Sequence, residues 1–280
     1  MSEIRVLLDG LGQGESPRWH DGRLWFGNWG IGEVVAVDPD GNSEVMARVD
    51  PSTVPLSIDW LPDGRLLVVA GPAAKLLVQD EDGSLVTYAD LSGLAEGLNE
   101  LVVDARGNAY VNGGSFDFEN PKPGLVAVVT PDGTVRAVAD DIHFGNGMAI
   151  TPDGSTLIVA ESYASRLTAF DIEPDGGLSN RRVWAGLGDG VPDGICLDAE
   201  GAVWYADVPN RRCVRVREGG DVLATVDLDR GGFACMLGGD DGRTLFMMAT
   251  EWKGFEGMAD AMGTGQVVTT RVDVPHAGRP

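Results

Sequence analysis

Cysteine and histidine are both scarce in this chain. Its 280 residues include only three histidines and three cysteines, Cys196, Cys213 and Cys235. An odd number of widely spaced cysteines does not form a disulfide framework and is typical of a reducing compartment. So few histidines and cysteines also argue against a zinc site built from those residues. We expect a cytoplasmic protein in which Cys196, inside the apolar run 195–197, is a buried core residue.

Basic residues and long apolar runs are also lacking. The chain has 21 Lys and Arg against 43 Asp and Glu, which gives a formal net charge of −22. This charge argues against binding to nucleic acid or to an anionic membrane. No run approaches the roughly 18 apolar residues of a membrane span. The first residues also lack the basic and apolar segments of a signal peptide. The expected partner is a small molecule, with no nucleic acid and no membrane.

Glycine, by contrast, is abundant, and it marks a repeat. The chain has 40 glycines. Six of them end a tight turn that follows an apolar stretch, at intervals of roughly 40 to 47 residues, which is the period of propeller blades. These six are Gly22, Gly64, Gly107, Gly154, Gly201 and Gly242. Six such repeats account for nearly the whole chain, so the sequence predicts one domain over residues 1–280.

Each repeat reads as four strands. In the fourth, the apolar run 147–150 precedes the turn 151–154 (TPDG), and β-rich segments follow at 156–160 and 166–172. A second Gly turn, 173–176 (EPDG), recurs in step in other repeats. We therefore predict an all-β, six-bladed β-propeller with four-stranded antiparallel blades. The ring should be closed by the N-terminal strand at 4–8 joining the last blade beside 266–272, because an open ring leaves strand edges exposed.

One position of the repeat carries oxygen-bearing side chains in four of the six blades. It lies eight residues before each Gly anchor, or seven before the first, and it is occupied by Glu15, Leu56, Asn99, Asn146, Asp193 and Ala234. A propeller brings the same position of every blade to one axis. Any of these residues alone could simply cap a turn, but the shared register favours a hard-cation site. The expected cofactor is one divalent metal ion, Ca²⁺ first, although such a site also accepts Mn²⁺, Zn²⁺ or Fe²⁺.

Three motifs resemble the SMP-30/gluconolactonase/LRE family over essentially the full chain: 14–19 (GESPRW), 146–149 (NGMA) and 192–195 (PDGI). Members of that family are six-bladed propellers with one divalent metal on the axis, and many hydrolyse lactones. Carried over by position, the resemblance implies that Glu15, Asn146 and Asp193 bind the metal. It also implies that Asn99 contacts metal, bound water or substrate, and that Asp193 is the general base.

This resemblance predicts a divalent-metal-dependent hydrolase that opens a lactone ring. The metal would act as a Lewis acid and lower the pKa of a bound water, and a carboxylate would take the proton. We expect Arg18 and Glu100 to contact substrate as well. The family's sugar lactonases tend to carry Arg where this chain has Gly97, and Asp where it has Glu100. Gluconolactone itself is therefore not the expected substrate.

The substrate wall should come from the loops after the second strand of each blade. These loops hold four aromatic residues, Trp29, Phe116, Tyr163 and Trp252. Such a lining suits a ring less polar than a hexonolactone, although each aromatic could instead pack between blades. His143 could donate a hydrogen bond to substrate or be a solvated loop residue. The segment 117–123 could form a lid or be a simple insertion.

Two other functions stay open at this point. A propeller with an axial cation could hydrolyse a phosphotriester or an aryl ester. The chain could also be a non-catalytic metal-binding or interaction propeller that keeps the ligands without the base. The oxygen cluster speaks against the second reading, since interaction propellers do not need one.

Overall fold

Six four-stranded antiparallel sheets make up the fold. The structure is a computed structural model that describes residues 3–115, 117 and 119–278, except for the side chain of Phe255. The first strand in the chain, β1 (Arg5–Leu11), belongs to the last sheet. Blades one to five each contain four consecutive strands from β2 onward, and the last three strands join β1 in blade six.

The first three blades use strands β2 to β13. Blade one contains β2 (Gln13–His20), β3 (Arg23–Trp29), β4 (Glu33–Val37) and β5 (Ser43–Arg48). Blade two contains β6 (Ile58–Trp60), β7 (Leu66–Ala70), β8 (Lys75–Gln79) and β9 (Leu85–Asp90). Blade three contains β10 (Gly97–Val103), β11 (Ala109–Gly114), β12 (Gly124–Val129) and β13 (Val135–Ile142).

The last three blades use the remaining strands. Blade four contains β14 (Gly145–Ile150), β15 (Thr156–Glu161), β16 (Arg166–Ile172) and β17 (Leu178–Gly186). Blade five contains β18 (Pro192–Leu197), β19 (Val203–Asp207), β20 (Arg212–Val216) and β21 (Val222–Asp227). Blade six contains β22 (Gly231–Gly238), β23 (Thr244–Thr250), β24 (Gly265–Arg271) and β1.

Helical structure is confined to short connections. Single 3₁₀ turns occur at Pro51–Thr53, Gly71–Ala73, Ser162–Ala164 and Phe255–Gly257, and the one-turn α-helix α1 covers Met258–Ala261. None of the helices in the described residues has the length and apolar character needed to cross a bilayer.

The six sheets form a closed ring, which confirms the predicted propeller. The first strands of successive blades contact one another in the order β2, β6, β10, β14, β18, β22 and back to β2. Within blade six, β1 pairs antiparallel with β24, with Arg5 opposite Thr269. The ring is therefore closed by the N-terminal strand, as predicted, because β1 completes the sheet of the last blade and β2 continues into the first.

The Gly anchors turn the chain between the first and second strands of each blade. All six have a positive φ, between 71° and 87°, in the left-handed region that only glycine adopts without steric cost. Their spacing in the sequence thus reports the spacing of the blades.

Apolar clusters lie between neighbouring blades. One joins Trp25 and Val34 of blade one to Leu56 and Ile58 of blade two. A second joins blades five, six and one, and it contains the three cysteines, all of them free and buried. The prediction that Cys196 is a core residue is confirmed.

Candidate active site

A cavity of about 770 Å³ opens at one end of the propeller axis. Every blade contributes to its lining, from Glu15 in blade one to Phe233 in blade six. Because only the axis is shared by all six blades, this cavity lies where the sequence predicts convergence.

Four of the six register positions line this cavity. Glu15, Asn99, Asn146 and Asp193 all face it, from β2, β10, β14 and β18. The two apolar members of the register, Leu56 and Ala234, are fully buried instead. The structure thus brings together the four oxygen-bearing side chains that the sequence places far apart.

In four of the six innermost strands, an irregularity in strand pairing coincides with the cavity-facing residue. The register of β2 shifts between Glu15 and Arg18, and that of β14 shifts between Gly145 and Met148. Equivalent shifts flank Asn99 in β10 and Asp193 in β18. A β-bulge re-aims the side chains of its strand, and here it does so at the same height in four blades.

Glycine lets the innermost strands of blades four and five approach closely. A Cβ atom added to Gly147 would lie 2.5 Å from the backbone nitrogen of Ile195 and 2.6 Å from the carbonyl oxygen of Asp193. Real Cβ atoms do not tolerate such distances. Gly147 therefore sets the separation between Asn146, its neighbour in sequence, and Asp193.

The carboxylates at the floor of the cavity are held close together and away from water. Burial raises the pKa of Glu15 well above its ordinary value, and the charges of Asp193 and Glu100 raise it further. Burial also raises the pKa of Asp193, again with a contribution from Glu100. Like charges in a desolvated site favour a bound cation.

The donor atoms at this floor fit a hard cation. Oδ1 of Asp193 is buried and finds no hydrogen-bond partner among the described residues. The side-chain amide nitrogen of Asn99 donates to the Gly145 carbonyl at 3.1 Å, and its side-chain oxygen accepts no hydrogen bond from the described residues. In the described part of the chain no three His, Cys, Asp or Glu side chains form a metal cluster. A cation here would therefore combine two carboxylates with amide oxygens, the ligand types that Ca²⁺ takes.

Glu100 lies at the cavity floor on top of a buried polar network. Its carboxylate accepts hydrogen bonds from the hydroxyl of Ser16 at 2.9 Å and from that of Ser57. It also pairs with the Arg18 guanidinium, with 3.2 Å between Nη2 and Oε1. Arg18 additionally donates to the Leu101 carbonyl at 2.7 Å and does not line the cavity. The structure thus places Arg18 beneath the site and against Glu100.

Three of the four predicted wall aromatics line the cavity: Trp29, Tyr163 and Trp252. The Trp29 indole is anchored by a 2.7 Å hydrogen bond to the Leu56 carbonyl. The ring of Tyr163 stacks on Phe144, with 4.7 Å between centroids.

The other two predicted wall residues, and the suggested lid, have different outcomes. Phe116 lies outside the described residues. His143 is not among the cavity residues; its Nε2 lies 3.2 Å from an oxygen of Asp141. Of the segment 117–123, Asp117 lines the cavity, and a lid role stays a prediction.

Several lining residues were missed by the sequence reasoning. Gln13, Val54, Phe144 and Val191 each stand two residues before a register position. Because strand side chains alternate with period two, extending the register by two residues would have found them. Met258 gave no such signal, since it lies in the connection between β23 and β24, outside the repeat.

Comparison with known proteins gives matches over most of the chain. A family model described as SMP-30/Gluconolactonase/LRE-like region matches residues 13–251. Regucalcin of Danio rerio is 32% identical over 158 residues, which are 53% of this chain and 52% of that protein. A 6-deoxy-6-sulfogluconolactonase of Pseudomonas putida is 30% identical over 162 residues, 56% of each chain. The chain thus spans about half the length of these two curated relatives.

The fold also resembles solved structures. The crystal structure of a calcium-binding protein, regucalcin from Agrobacterium tumefaciens, matches with a TM-score of 0.81 and 21% identity. The match covers 100% of this chain and 97% of the other. At this identity the likeness concerns the fold alone.

Proposed function

The chain belongs to the SMP-30/gluconolactonase/LRE-like family, and on that premise we propose that it hydrolyses a lactone with one bound divalent cation, Ca²⁺ first. One comparison supports the reaction: the Pseudomonas relative is named as a lactonase. The chemistry of the cavity floor is the independent support.

Glu15, Asn146 and Asp193 would hold the cation, with Asn99 beside it. These side chains share one cavity and supply only oxygen donors. A divalent cation in this place would polarise the ester carbonyl of a lactone as a Lewis acid. The backbone contact between Gly147 and blade five keeps Asn146 and Asp193 at a fixed separation, so the donor set is arranged before any ligand binds.

Asp193 carries the catalytic part of the proposal. Its Oδ1 is buried and has no hydrogen-bond partner among the described residues. A carboxylate oxygen left unpaired at the floor of a cavity is placed to take the proton of an attacking water as the general base. Asn99 and Glu100, which also line the floor, would orient the ring of the substrate.

The test compares Asp193→Asn with a matched surface variant, Asp40→Asn, in an exposed turn. Both are assayed on lactones, aryl esters and a phosphotriester with Ca²⁺, Mn²⁺, Zn²⁺ or Fe²⁺ and with EDTA. We expect cation-dependent lactone hydrolysis that EDTA abolishes and that Asp193→Asn lowers by at least about 100-fold. Asp40→Asn should retain it.

Cation binding is measured separately by thermal unfolding. Calcium at 100 times its dissociation constant should stabilise the parent protein by about 2.7 kcal/mol, and Glu15→Gln should remove most of that gain. Unchanged turnover in Asp193→Asn rules out its role as the base. Faster turnover of the phosphotriester favours the second hydrolase class, and calcium stabilisation without any turnover favours a non-catalytic metal-binding propeller.

A further inference from the structure

The cavity has two chemically different parts. Its floor carries the oxygen donors, whereas its walls are largely apolar. Six aromatic or thioether side chains stand around the walls: Trp29, Phe144, Tyr163, Phe233, Trp252 and Met258. Valines and prolines from blades two and five fill the spaces between them. A substrate whose ester reaches the floor must therefore place its substituents against hydrocarbon.

The wall aromatics are fixed by contacts with one another. Phe233 meets Trp252 edge to face, with 5.9 Å between ring centroids. Phe144 stacks on Tyr163, and the Trp29 indole nitrogen is bonded to a backbone carbonyl. Aromatic surfaces held in this way contribute contact area with little loss of side-chain freedom.

The charge of the cavity is of one sign. Among the described residues that line it there is no Arg, Lys or His, whereas Glu96 and Asp117 add negative charge to that of the floor. The chain as a whole carries a net charge of −22. The proposed cation would lie at the floor, so a carboxylate, phosphate or sulfonate placed along the walls would meet this field without a counter-charge from any lining side chain.

The walls also offer few partners to a polyhydroxylated ring. Apart from the floor donors and the aromatic residues, the polar side chains of the described residues that line the cavity are Gln13, Glu96, Ser115, Asp117 and Ser162, and the Ser162 hydroxyl already donates to the Pro192 carbonyl at 2.7 Å. Hydroxyl groups moved from water to an apolar wall without hydrogen bonds lose free energy. Because its walls are largely apolar, the cavity disfavours sugar lactones and favours hydrocarbon substituents.

From these observations we propose that the substrate is an uncharged lactone bearing a hydrocarbon substituent, alkyl or aryl. This inference rests on the proposed lactone hydrolysis and specifies its substrate class. The ester would lie at the oxygen-lined floor, and the substituent would extend along the aromatic walls toward the mouth.

The experiment is a homologous series of δ-lactones on the calcium-loaded protein. δ-Valerolactone is compared with derivatives that carry alkyl chains of increasing length on the ring. A carboxylate-terminated derivative of matched length and glucono-δ-lactone complete the set. We expect kcat/KM to rise about fourfold for each methylene that the walls cover. The carboxylated and polyhydroxylated compounds should be at least about 100-fold poorer than the best alkyl lactone.

Reversing the charge of Glu96, which lines the cavity, tests whether negative charge excludes anionic substrates. Glu96→Arg should raise the ratio of kcat/KM for the carboxylate-terminated lactone to that for the neutral one by about tenfold or more. Glu96→Gln, which removes a charge without adding one, should raise it less. A flat alkyl series, or a preference for glucono-δ-lactone, would overturn the proposal.

Failure of the underlying activity can be told apart from failure of this inference. The same alkyl series is prepared as lactams, which resist hydrolysis, and their binding is measured by calorimetry. If no lactone is turned over but lactam affinity rises with chain length, the hydrolase proposal fails while the apolar preference of the cavity holds. If lactones are hydrolysed with no dependence on the substituent, only the substrate class is wrong.

Discussion

Replacing Arg18 by Met isolates the energetic role of the buried ion pair beneath the cavity. The side chains of Arg18 and Glu100 are 5% and 6% exposed, so the substitution leaves a carboxylate in a desolvated place without its cation. Glu100 lies close enough to the carboxylates of Glu15 and Asp193 that its charge raises the pKa of both. The uncompensated charge would therefore also face like charges.

The expected loss can be worked out from these contacts. Removing one partner of a buried pair costs about 3–5 kcal/mol. Glu100 keeps its hydrogen bonds from Ser16 and Ser57. In addition, Nε of Arg18 is buried without a partner among the described residues, so Met also removes an unsatisfied donor. Both effects place the loss at the lower end, about 3 kcal/mol, which corresponds to roughly 6 °C or more in the melting temperature.

The assay is a double-mutant cycle followed by urea and thermal unfolding at pH 7. It compares Arg18→Met, Glu100→Gln and the double variant with the parent protein. Because the double variant buries no unpaired charge, it should be more stable than the sum of the single losses predicts, by about 1 kcal/mol or more. Additive losses, or an Arg18→Met protein that melts within about 2 °C of the parent, would refute the reasoning.

Two further predictions concern the scaffold. Deleting residues 3–11 removes β1 from blade six and leaves β24 without its partner strand. Thermal unfolding followed by circular dichroism should show that the whole domain melts at a lower temperature than the parent protein. An unchanged melting temperature would contradict ring closure as a source of stability. Burial alone would raise the pKa of Glu161, but hydrogen bonds from Arg166, the His143 amide and Thr168 overcome it, and the pKa is lowered. The ionised carboxylate therefore stabilises the fold above its ordinary value of 4.5, and that stability is lost as the pH falls through the lowered pKa. Glu161→Gln should cost about 1.5–3 kcal/mol at pH 7 and progressively less in acid; a deficit that does not depend on pH would argue against this account.

The fold could be predicted because the turns that separate its strands are specified by residues next to one another in the sequence. Each Gly anchor, such as Gly154 after Pro152 and Asp153, specifies a turn by its own chemistry, and the repeat of that turn specifies the number of blades. Ring closure was predicted on a different ground, because an open ring would leave strand edges exposed. The convergence of Glu15, Asn146 and Asp193 in one cavity then followed from symmetry, whereas their roles as ligands and base stay predictions.

The rest of the site depends on contacts that no repeat encodes. The pairing of Arg18 with Glu100 joins blades one and three across the axis, and it depends on bulges in β2 and β10 that have no sequence signature of their own. Met258 enters the cavity from the connection that holds α1, the only α-helix among the described residues. Such features come from tertiary packing, which the repeat pattern of the sequence does not predict.

The pairing of β1 with β24 has a consequence for synthesis of the protein on the ribosome. Arg5 is made before any of the other five blades, whereas its partner Thr269 is made after those five blades are complete. Until β24 is made, β1 has no strand to pair with, and the first five blades form an open arc. The ring therefore cannot close before β24 is made, and a permuted gene that begins between two other blades would let the strands of the sixth blade be made consecutively.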